Sequence, residues 1–492
     1  MPAEKQDKAD KKIYIWLFII AFAVAFSSTY NPLNFRRMHV DSSIYVTISQ
    51  GIIRGQLPYR DFADNKGPLA YLLSVPGLFL GRFTGIWITE IILLFVTVLF
   101  AYKTALFFGN RDKALMGTVF SLVVLLAFFK VYAGTEEYSL PFLMISLYLF
   151  TKHYFYQKQD LSFGGLIVLG ACFACAVLIR LNMFPLWAGF CMVIFIEEIL
   201  KRRFVRLCKY ISGFCIGIII ISIPVFLYLK LNGVMDAFLH QVISGGAAKG
   251  FSGGGLKKFV NNFYLVINRN YSFIPLFAGL FLVITKFKQP NFSFYIGYTL
   301  SGFLMVLFLS FTSGDSHYNM VLFPFFIPAF VLLIDILDSA FSAIKAGKII
   351  LILFLCIVFS EGLVKYIFDL SKIIFDKSGA HLVKAGKMID ENTKPGDKII
   401  SLGFNGYIYP FTQRDIASKY CYQGSGLNYI PGAREEFISD ITTNKPAVIV
   451  LFTSEDGINQ INDWHAPILK MIDDDYRLLS DENGFRLFIR NR

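Results

Sequence analysis

The sequence predicts a polytopic α-helical membrane protein with a small α/β domain at its C-terminal end. Of its 492 residues, 55% are hydrophobic and only 17% are charged, and the mean hydropathy is +0.55. The apolar residues are concentrated in runs of about 20, the length that an α-helix needs to cross a bilayer. The 53 Phe and 25 Tyr suit lipid-facing helices and aromatic belts at the membrane surfaces. This composition excludes a soluble globular protein.

The apolar runs predict about 11 to 13 transmembrane helices within residues 1–366. The clearest spans are 13–29, 85–108, 114–130, 138–151, 162–179, 183–200, 210–229, 271–286, 292–311, 319–336 and 347–366. The first span follows a lysine-rich segment without a small-x-small cleavage site, so we expect an uncleaved helix rather than a signal peptide. Residues 68–82 are apolar but interrupted by Pro76 and Gly77, which predicts a surface-lying or re-entrant helix.

The distribution of cations predicts the topology. The four lysines among residues 5–12 place the N-terminus in the cytoplasm, and the short loops that would then lie inside are also basic. The predicted outer segments are residues 30–84, 131–137, 230–270 and 312–318, and the tail from residue 367. The first of these is basic although it faces outward. Cations placed against the topological preference predict an anionic ligand there.

The tail, residues 367–492, changes character and predicts an extracytoplasmic α/β domain. DKIISLG (397–403) and PAVIVLF (446–452) are typical of buried strands, and residues 379–392 and 434–443 have helical periodicity. Residues 476–490 predict a hairpin that turns at Glu482–Gly484. The domain carries no obvious catalytic motif.

Two composition signals have simple explanations. The net charge of +12 could indicate nucleic acid, but the cations lie in short loops between spans, where they set topology. Nucleic-acid binding is therefore not expected. Of the seven cysteines, Cys172 and Cys175 form a C-x-x-C inside an apolar run with no second pair at ligand spacing, which favours core packing over metal or redox chemistry.

The long outer segment 230–270 contains the glycine-rich run GGAAKGFSGGG. Such a composition predicts a flexible segment. It fits either a lid over a site or a disordered connector, and the sequence favours neither.

The first outer segment begins with a helix that has a carboxylate at its N-terminal end. Ile44, Ile48 and Ile52 recur at helical spacing in DSSIYVTISQGIIRG, which predicts an amphipathic helix on the membrane surface. Asp41 opens this helix and fits an N-cap. The same carboxylate, held at the lipid interface, fits a general base.

A charged loop, QLPYRDFADNKGP, follows this helix. Lys66 directly precedes Gly-Pro at the start of the next apolar helix, where a cation can meet a phosphate group. The remaining candidates for substrate contact in this loop are Tyr59, Arg60, Asp61 and Asp64. The sequence does not separate Asp61 and Asp64 from ordinary loop residues.

Polar side chains also stand at the outer ends of later spans. Glu136 and Glu137 begin one span, and two adjacent carboxylates exceed what a helix cap needs. Arg180 ends another and fits either a snorkelling side chain or a phosphate ligand. His317 and Tyr318, after Asp315, precede a third span, where a histidine can be simply interfacial.

The order of these features resembles the C-type (GT-C) glycosyltransferases of family 39, which include protein O-mannosyltransferases and the aminoarabinose transferase that acts on lipid A. The similar features are an early outer acid on a helix (Asp41), the PYRDFADNKGP stretch, an acid in the second outer loop, and His-Tyr six residues before Pro324. Two departures are that Lys66 precedes Gly-Pro rather than Pro-Pro, and that Glu-Glu replaces a single Asp. Which glutamate corresponds is therefore open.

The resemblance implies a membrane glycosyltransferase that takes a hexosyl or pentosyl group from a polyprenyl-phosphate donor on the outer face of the cytoplasmic membrane. The acceptor would be a glycolipid, a polysaccharide or a protein, and direct displacement would invert the anomeric carbon. The implied roles are a base (Asp41), acids that orient the base or acceptor (Glu136, Glu137), and groups that bind the donor phosphate (Lys66, Arg180, His317, Tyr318). A divalent cation is compatible with these roles, although no ligand spacing demands one.

Two other classes of protein fit parts of the sequence. A lipid-linked glycan polymerase or ligase would place key arginines in a large late loop, but residues 230–270 contain only Arg269. A glycolipid flippase or transporter would place charges within spans or show an internal repeat. The predicted spans are almost free of acids, and no repeat is evident.

Overall fold

The computed structural model describes most of the chain. The described residues are 11–33, 38–129, 134–156, 161–245, 255–269, 271–312, 315–342, 344, 346–375, 378–403, 406–423, 427, 432–452, 463–482 and 484–491. Arg36 and Arg37 of the basic first outer segment, and most of the glycine-rich run, lie outside the described residues. The expectations for those residues stay predictions.

The secondary structure is mainly helical. The α-helices are α1 Lys11–Phe26, α2 Val40–Ile53, α3 Leu69–Leu72, α4 Val75–Gly81, α5 Phe83–Ala105, α6 Arg111–Phe128, α7 Thr135–Phe155, α8 Phe163–Ile179, α9 Pro185–Leu200, α10 Phe204–Leu231, α11 Met235–Phe238, α12 Gly255–Asn268, α13 Phe273–Thr285, α14 Phe292–Ser310, α15 Phe323–Phe341, α16 Gly347–Val358, α17 Ser360–Phe375, α18 Ser378–Asn392, α19 Ala433–Asn444 and α20 Ala466–Asp475. Shorter 3-10 segments are Leu181–Met183, Ser316–Leu322, Gly406–Phe411 and Asp463–His465, and Leu239–Ser244 is a π-helix. The strands are β1 Lys398–Leu402, β2 Asp415–Ile416, β3 Val448–Phe452, β4 Tyr476–Glu482 and β5 Phe485–Arg490.

The chain divides into two compact units, and each is assembled from three separate segments. Unit 1 contains Met1–Ser28, Trp87–Phe226 and Gly250–Ser371. Unit 2 contains Thr29–Ile86, Leu227–Lys249 and Lys372–Arg492. The first outer segment therefore groups with the C-terminal residues, from which more than 280 residues separate it in sequence.

Helices long and apolar enough to cross a membrane are present, as expected for a multi-pass membrane protein. In the described residues four helical segments meet this condition: Phe83–Ala105, Phe204–Leu231, Phe292–Ser310 and Ser316–Phe341. Two helix pairs with short breaks, α12–α13 and α16–α17, raise the number to six if each pair is one span. The predicted 11 to 13 spans are not confirmed, because several apolar helices are short, such as α1 and α9 with 16 residues each.

Glycines allow two helices of unit 1 to cross at close range. A Cβ atom at Gly170 of α8 would collide with the carbonyl oxygen of Phe214 in α10, and one at Gly217 would collide with the carbonyl oxygen of Ile167. Small residues at such crossings are the usual means of close helix contact within a membrane. This contact holds α8, whose C-terminal end presents Arg180.

All seven cysteines are free, and Cys172 is buried.

Helix α2 of unit 2 corrects the prediction of an amphipathic surface helix. Every residue from Ser42 to Ser49 is buried, so the expected water-facing side is absent there. The buried hydroxyls are satisfied within the helix itself, because Thr47 donates to the carbonyl of Ser43 (2.7 Å) and Ser49 to that of Tyr45 (2.6 Å). A helix whose polar side chains bond to its own backbone can be buried on all faces.

The start of α2 corrects a second expectation, that Asp41 caps the helix. The helix begins at Val40 with His39 as its N-cap, and Nδ1 of His39 accepts a hydrogen bond from the backbone N–H of Asp41 (3.3 Å). Asp41 lies in the first turn and is half-buried. The capping explanation for this carboxylate is therefore removed.

The C-terminal part of unit 2 contains a five-stranded sheet in the order β2-β1-β3-β5-β4. Strands β2, β1 and β3 are parallel, while β5 pairs antiparallel with both β3 and β4. The predicted strands, helices and hairpin are confirmed, with Gly484 at φ +100° in the hairpin turn. The first outer segment contacts this part of unit 2: the N–H of Ala63 donates to the carbonyl of Lys419 (2.8 Å), and Arg54 pairs with Asp415 (3.2 Å).

Candidate functional site

Unit 1 brings together side chains from three predicted outer positions, which we call the helix-end cluster: Glu136, Arg180, His317 and Tyr318. Glu136 lies in the first turn of α7, where Gly134 has the extended backbone of an N-cap. Arg180 follows the last residue of α8 with extended backbone (φ −155°, ψ 124°). His317 and Tyr318 lie in the 3-10 segment Ser316–Leu322, which continues directly into α15.

Arg180 is the centre of the helix-end cluster. Its guanidinium group forms an ion pair with the Glu136 carboxylate. Its Cζ atom lies 4.2 Å from the centre of the Tyr318 ring, in cation–π contact. The rings of His317 and Tyr318 are 4.3 Å apart, centre to centre. The cation is thus positioned by a carboxylate on one helix and an aromatic ring on another segment.

The ion pair between Arg180 and Glu136 is largely buried. The side chains of Arg180 and Glu136 are 13% and 6% exposed, so either charge alone would be costly. A guanidinium group has five N–H donors, of which one carboxylate can accept two in a bidentate pair. The cluster can therefore hold a second anion while the first pair remains intact. The charged group of Arg180 is engaged with a buried acid, and the choice between a snorkelling side chain and a phosphate ligand stays a prediction.

The structure adds two residues that the sequence did not single out. Thr135 donates its hydroxyl to Oε2 of Glu136 (3.0 Å), and so orients the carboxylate. Asn319 donates to the carbonyl of Val266 (2.9 Å) and to Oγ of Ser272 (2.8 Å), which holds the 3-10 segment in place. The sequence could have pointed to them only through their position, since Thr135 directly precedes Glu136 and Asn319 directly follows Tyr318. Glu137 is 1% exposed, next to Glu136.

Unit 2 contains the remaining candidates of the charged loop, which we call the loop cluster: Tyr59, Arg60, Asp61, Asp64 and Lys66. Arg60 forms two hydrogen bonds with the adjacent Asp61 (3.0 and 2.8 Å). Asp61 also accepts a hydrogen bond from the N–H of Leu57 (2.7 Å). Burial raises the pKa of Asp61, but Arg60 and the Leu57 N–H outweigh it, and the pKa is lowered overall. Asp61 therefore closes a turn of the loop.

Asp64 and Lys66 form hydrogen bonds with three neighbouring residues. Asp64 accepts hydrogen bonds from the Tyr71 hydroxyl (2.9 Å) and the N–H of Asn65 (2.7 Å), and its own N–H donates to Gln241 (3.2 Å). Nζ of Lys66 donates to the Asn65 side chain (2.9 Å). Asp64 thus anchors the loop, while Lys66 is half-buried beside a neutral amide.

Tyr59 is a buried support of the loop rather than an exposed contact. It is 2% exposed, and its hydroxyl donates to the carbonyl of Lys66 (2.7 Å). Its backbone has φ +69°, a left-handed conformation that is rare for a bulky residue. Burial, followed by the nearby Asp64 charge, holds the pKa of Tyr59 well above its usual range. The phenol therefore stays neutral and fixes the position of the Lys66 backbone.

Each unit thus brings its own candidates together. The helix-end cluster joins Glu136, Arg180, His317 and Tyr318, and the loop cluster lies close in sequence to Asp41. Convergence of the two groups on one substrate stays a prediction. In the part of the chain that the structure describes, no three His, Cys, Asp or Glu side chains group closely enough to hold a metal ion.

The chain is similar in structure to two membrane glycosyltransferases. ArnT from Cupriavidus metallidurans, in a crystal structure bound to undecaprenyl phosphate, is 12% identical with a TM-score of 0.62, over 97% of this chain and 98% of that chain. The oligosaccharyltransferase of Archaeoglobus fulgidus, tethered to an acceptor peptide, is 12% identical with a TM-score of 0.53, over 98% of this chain and 74% of that chain. The archaeal oligosaccharyltransferase AglB from Archaeoglobus fulgidus, in complex with an inhibitory peptide and a dolichol-phosphate, is 11% identical with a TM-score of 0.52. The match covers 98% of this chain and 74% of that chain. None of the curated proteins matches the sequence.

These similarities define the class: the chain is a membrane protein of the GT-C fold, as the order of its motifs predicted. A family model described as "Putative competence-induced protein Ccs4 N-terminal domain" matches residues 3–347. The chain belongs to this family. The narrower resemblance to family 39 stays a prediction.

Proposed function

We propose that this protein is a glycosyltransferase that moves a sugar from a polyprenyl-phosphate donor to a hydroxyl or phosphate acceptor on the outer face of the cytoplasmic membrane. The observation that carries the proposal is the GT-C fold over almost the whole chain, with 97% covered. One structure of this fold contains undecaprenyl phosphate, and another contains a dolichol-phosphate and an inhibitory peptide. A polyprenyl-phosphate sugar would give these two kinds of lipid phosphate as its product.

The helix-end cluster supports the phosphate-binding part of the proposal. Arg180 is held by Glu136 and Tyr318 before any substrate arrives, so little reorganisation is needed when negative charge develops. His317 adjoins Tyr318 and can donate a further hydrogen bond. The family resemblance assigns a phosphate-binding role to Lys66 as well, and Tyr59 holds the backbone carbonyl of Lys66 in place.

The proposed reaction is a direct displacement at the anomeric carbon. Asp41 would accept the proton of the acceptor hydroxyl, and the acceptor oxygen would then form a bond to the anomeric carbon from the face opposite the leaving group. The bond between that carbon and the phosphate oxygen breaks, and its electron pair goes to the lipid phosphate. Lipid phosphate is a stable anion, so no acid needs to protonate it. Attack from the opposite face inverts the anomeric configuration.

The role of Asp41 as the base rests on two observations. His39 rather than Asp41 caps α2, so the helix does not need this carboxylate at its N-cap. Asp41 is half-buried in the first turn of this helix. A polar acceptor can therefore reach a carboxylate that is held in place by a buried helix.

Mass spectrometry of envelope glycans tests the proposal. Cells that produce wild-type protein, Asp41→Asn or the control Asp415→Asn are compared at equal protein abundance; Asp415 pairs with Arg54 on the surface of unit 2. We expect Asp41→Asn to lose one sugar modification, by a factor of about 100 or more, because a general base contributes that much to the rate. The control should keep it. Unchanged glycans with Asp41→Asn would contradict the base assignment. Glycans that do not depend on the protein at all would contradict the transferase.

A further inference from the structure

A second charged site lies in unit 1, away from the helix-end cluster, where α9 ends and α10 begins. The turn reads KRRFVRLCK (201–209) and carries five cations in nine residues. A high number of cations is ordinary for a short loop on the cytoplasmic side, because such loops set the membrane topology. Setting the topology requires only the charges, however, and not any particular arrangement of them. The arrangement here is specific.

Four of the cations line one open surface depression, which we call the cavity. It has a volume of about 500 Å³ and is lined by Arg202, Arg203, Phe204, Val205, Arg206 and Lys209. Its polar lining is entirely cationic, with apolar side chains beside it. Phe204 is 57% exposed and Val205 87% exposed, and both lie in the first turn of a 28-residue helix that is apolar enough to span a membrane. The cavity thus opens where a lipid headgroup would meet its acyl chains.

The cations differ in how far their charge is already neutralised. Lys201 pairs with Glu197 one helical turn before it. Arg203 and Arg206 share one buried carboxylate, since they lie at 3.9 and 3.7 Å from the same oxygen of Glu198. In the described part of the chain, no carboxylate lies within ion-pair distance of Arg202 or Lys209. The cavity therefore retains a net positive charge.

The backbone at Arg202 shows that a cation stands where a glycine would be easier to accommodate. The N–H of Arg203 donates to the carbonyl of Glu198 (2.8 Å) and that of Arg202 to the carbonyl of Ile199 (2.9 Å), which is the Schellman pattern at a helix C-terminus. Arg202 occupies the left-handed position of this motif, with φ +55°. Glycine is the usual residue there because other side chains are strained. A binding role for the guanidinium group accounts for an arginine at this strained position.

We propose that this cavity binds the phosphate-containing headgroup of an anionic glycerophospholipid at the membrane surface. The phosphate would lie among Arg202, Arg203, Arg206 and Lys209, and the acyl chains would follow Phe204 and Val205 along α10. Charge complementarity favours an anionic headgroup, and the exposed apolar side chains favour a lipid over a free phosphate ion. Basic pockets beside membrane spans are suited to such headgroups. The site is independent of the proposed sugar transfer.

Native mass spectrometry of the full-length protein in neutral detergent tests this site. Phosphatidylglycerol and phosphatidylcholine of equal acyl length, and inorganic phosphate, are titrated separately. We expect phosphatidylglycerol to bind in preference, and Arg202→Gln/Lys209→Gln to weaken it about ten-fold or more. The control Lys286→Gln/Lys288→Gln removes the same charge from another basic turn and should bind as the wild type does. Equal binding of the two lipids, equal loss in the control, or phosphate binding as tight as the lipid would each overturn the proposal.

The single substitution Arg202→Gly separates binding from folding. Because glycine relieves the left-handed strain, we expect the melting temperature to rise while phosphatidylglycerol binding falls. A fall in both the melting temperature and the binding would mean that Arg202 only supports the structure. A higher melting temperature with unchanged binding would mean that the charge of Arg202 is not used for binding. Either result would contradict the assignment.

Discussion

The loop cluster of unit 2 and the helix-end cluster of unit 1 are both rich in charge, but they satisfy that charge in different ways. In the loop cluster the partners of the charged side chains are close in sequence: Arg60 pairs with Asp61, Lys66 with Asn65, and Asp64 with Tyr71 seven residues on. In the helix-end cluster, Arg180 takes its carboxylate from α7 and its aromatic ring from the 3-10 segment before α15.

The difference indicates which charges shape a loop and which form a site. Local pairs can form within the loop alone and fix its conformation. Long-range buried pairs require the whole unit to fold, and they place a cation where water is largely excluded. We therefore expect substitutions in the helix-end cluster to have the larger effects, and those in the loop cluster to act through its shape.

The largest effect is expected for Arg180→Gln. It leaves the Glu136 carboxylate buried without its cation, which should lower the free energy of unfolding by about 3–5 kcal/mol and abolish sugar transfer. Chemical unfolding in detergent measures the first effect, and glycan mass spectrometry the second.

The double substitution Glu136→Gln/Arg180→Met controls for burial. With both charges removed, we expect most of the stability to return but not the transfer. Recovery of transfer in this double variant would mean that the pair only supports the fold, and the comparison between the two clusters would fail.

A smaller loss is expected for Asp64→Ala in the loop cluster. The hydroxyl of Tyr71, which is fully buried, would lose its acceptor at 2.9 Å and keep the carbonyl of Lys66 at 3.4 Å. Loss of the short hydrogen bond of a buried hydroxyl should cost up to about 3 kcal/mol. Stability and transfer should fall together, since the loop changes shape. If transfer were lost at unchanged melting temperature, Asp64 would contact substrate directly.

Tyr318→Leu should cost about 1–2 kcal/mol, through the lost cation–π contact with Arg180. Tyr318→Phe keeps the ring and is the matched control, with an expected change in the free energy of unfolding of less than about 0.5 kcal/mol. Equal effects of the two variants would assign the contribution to the hydroxyl instead of the ring.

The smallest effect, and one that depends on pH, is expected for Asp61→Asn. Arg60 is 57% exposed, so water screens the pair and its contribution stays below about 1 kcal/mol. The pKa of Asp61 is lowered in the folded protein. Its contribution is therefore complete above the unfolded pKa of about 3.9 and is lost as the pH falls through the lower folded value. Unfolding curves at pH 3 and 7 should differ less for the variant than for the wild type, and equal differences would contradict the assignment.

Elements that depend on local pattern were predicted well. Both apolar strands of the C-terminal sheet, the two helices beside them and the hairpin at Gly484 are confirmed, because short apolar runs, helical periodicity and turn residues are local signals. The GT-C fold was recognised from the order of short motifs. The prediction of a surface helix for α2, made from the spacing of its isoleucines, was wrong: the residues between them are also buried, and their hydroxyls bond to the helix backbone. The number of spans is not confirmed.

The sequence by itself determined the class of this protein, because hydropathy, charge placement and motif order are properties of the linear chain. It also identified Glu136, Arg180, His317 and Tyr318 as candidates. Only the tertiary structure decided that Arg180 pairs with Glu136 and stacks on Tyr318, and that residues 29–86 group with the C-terminal sheet. The physical reason is that buried charge must find a partner wherever the fold provides one, and no local pattern encodes a contact between distant segments.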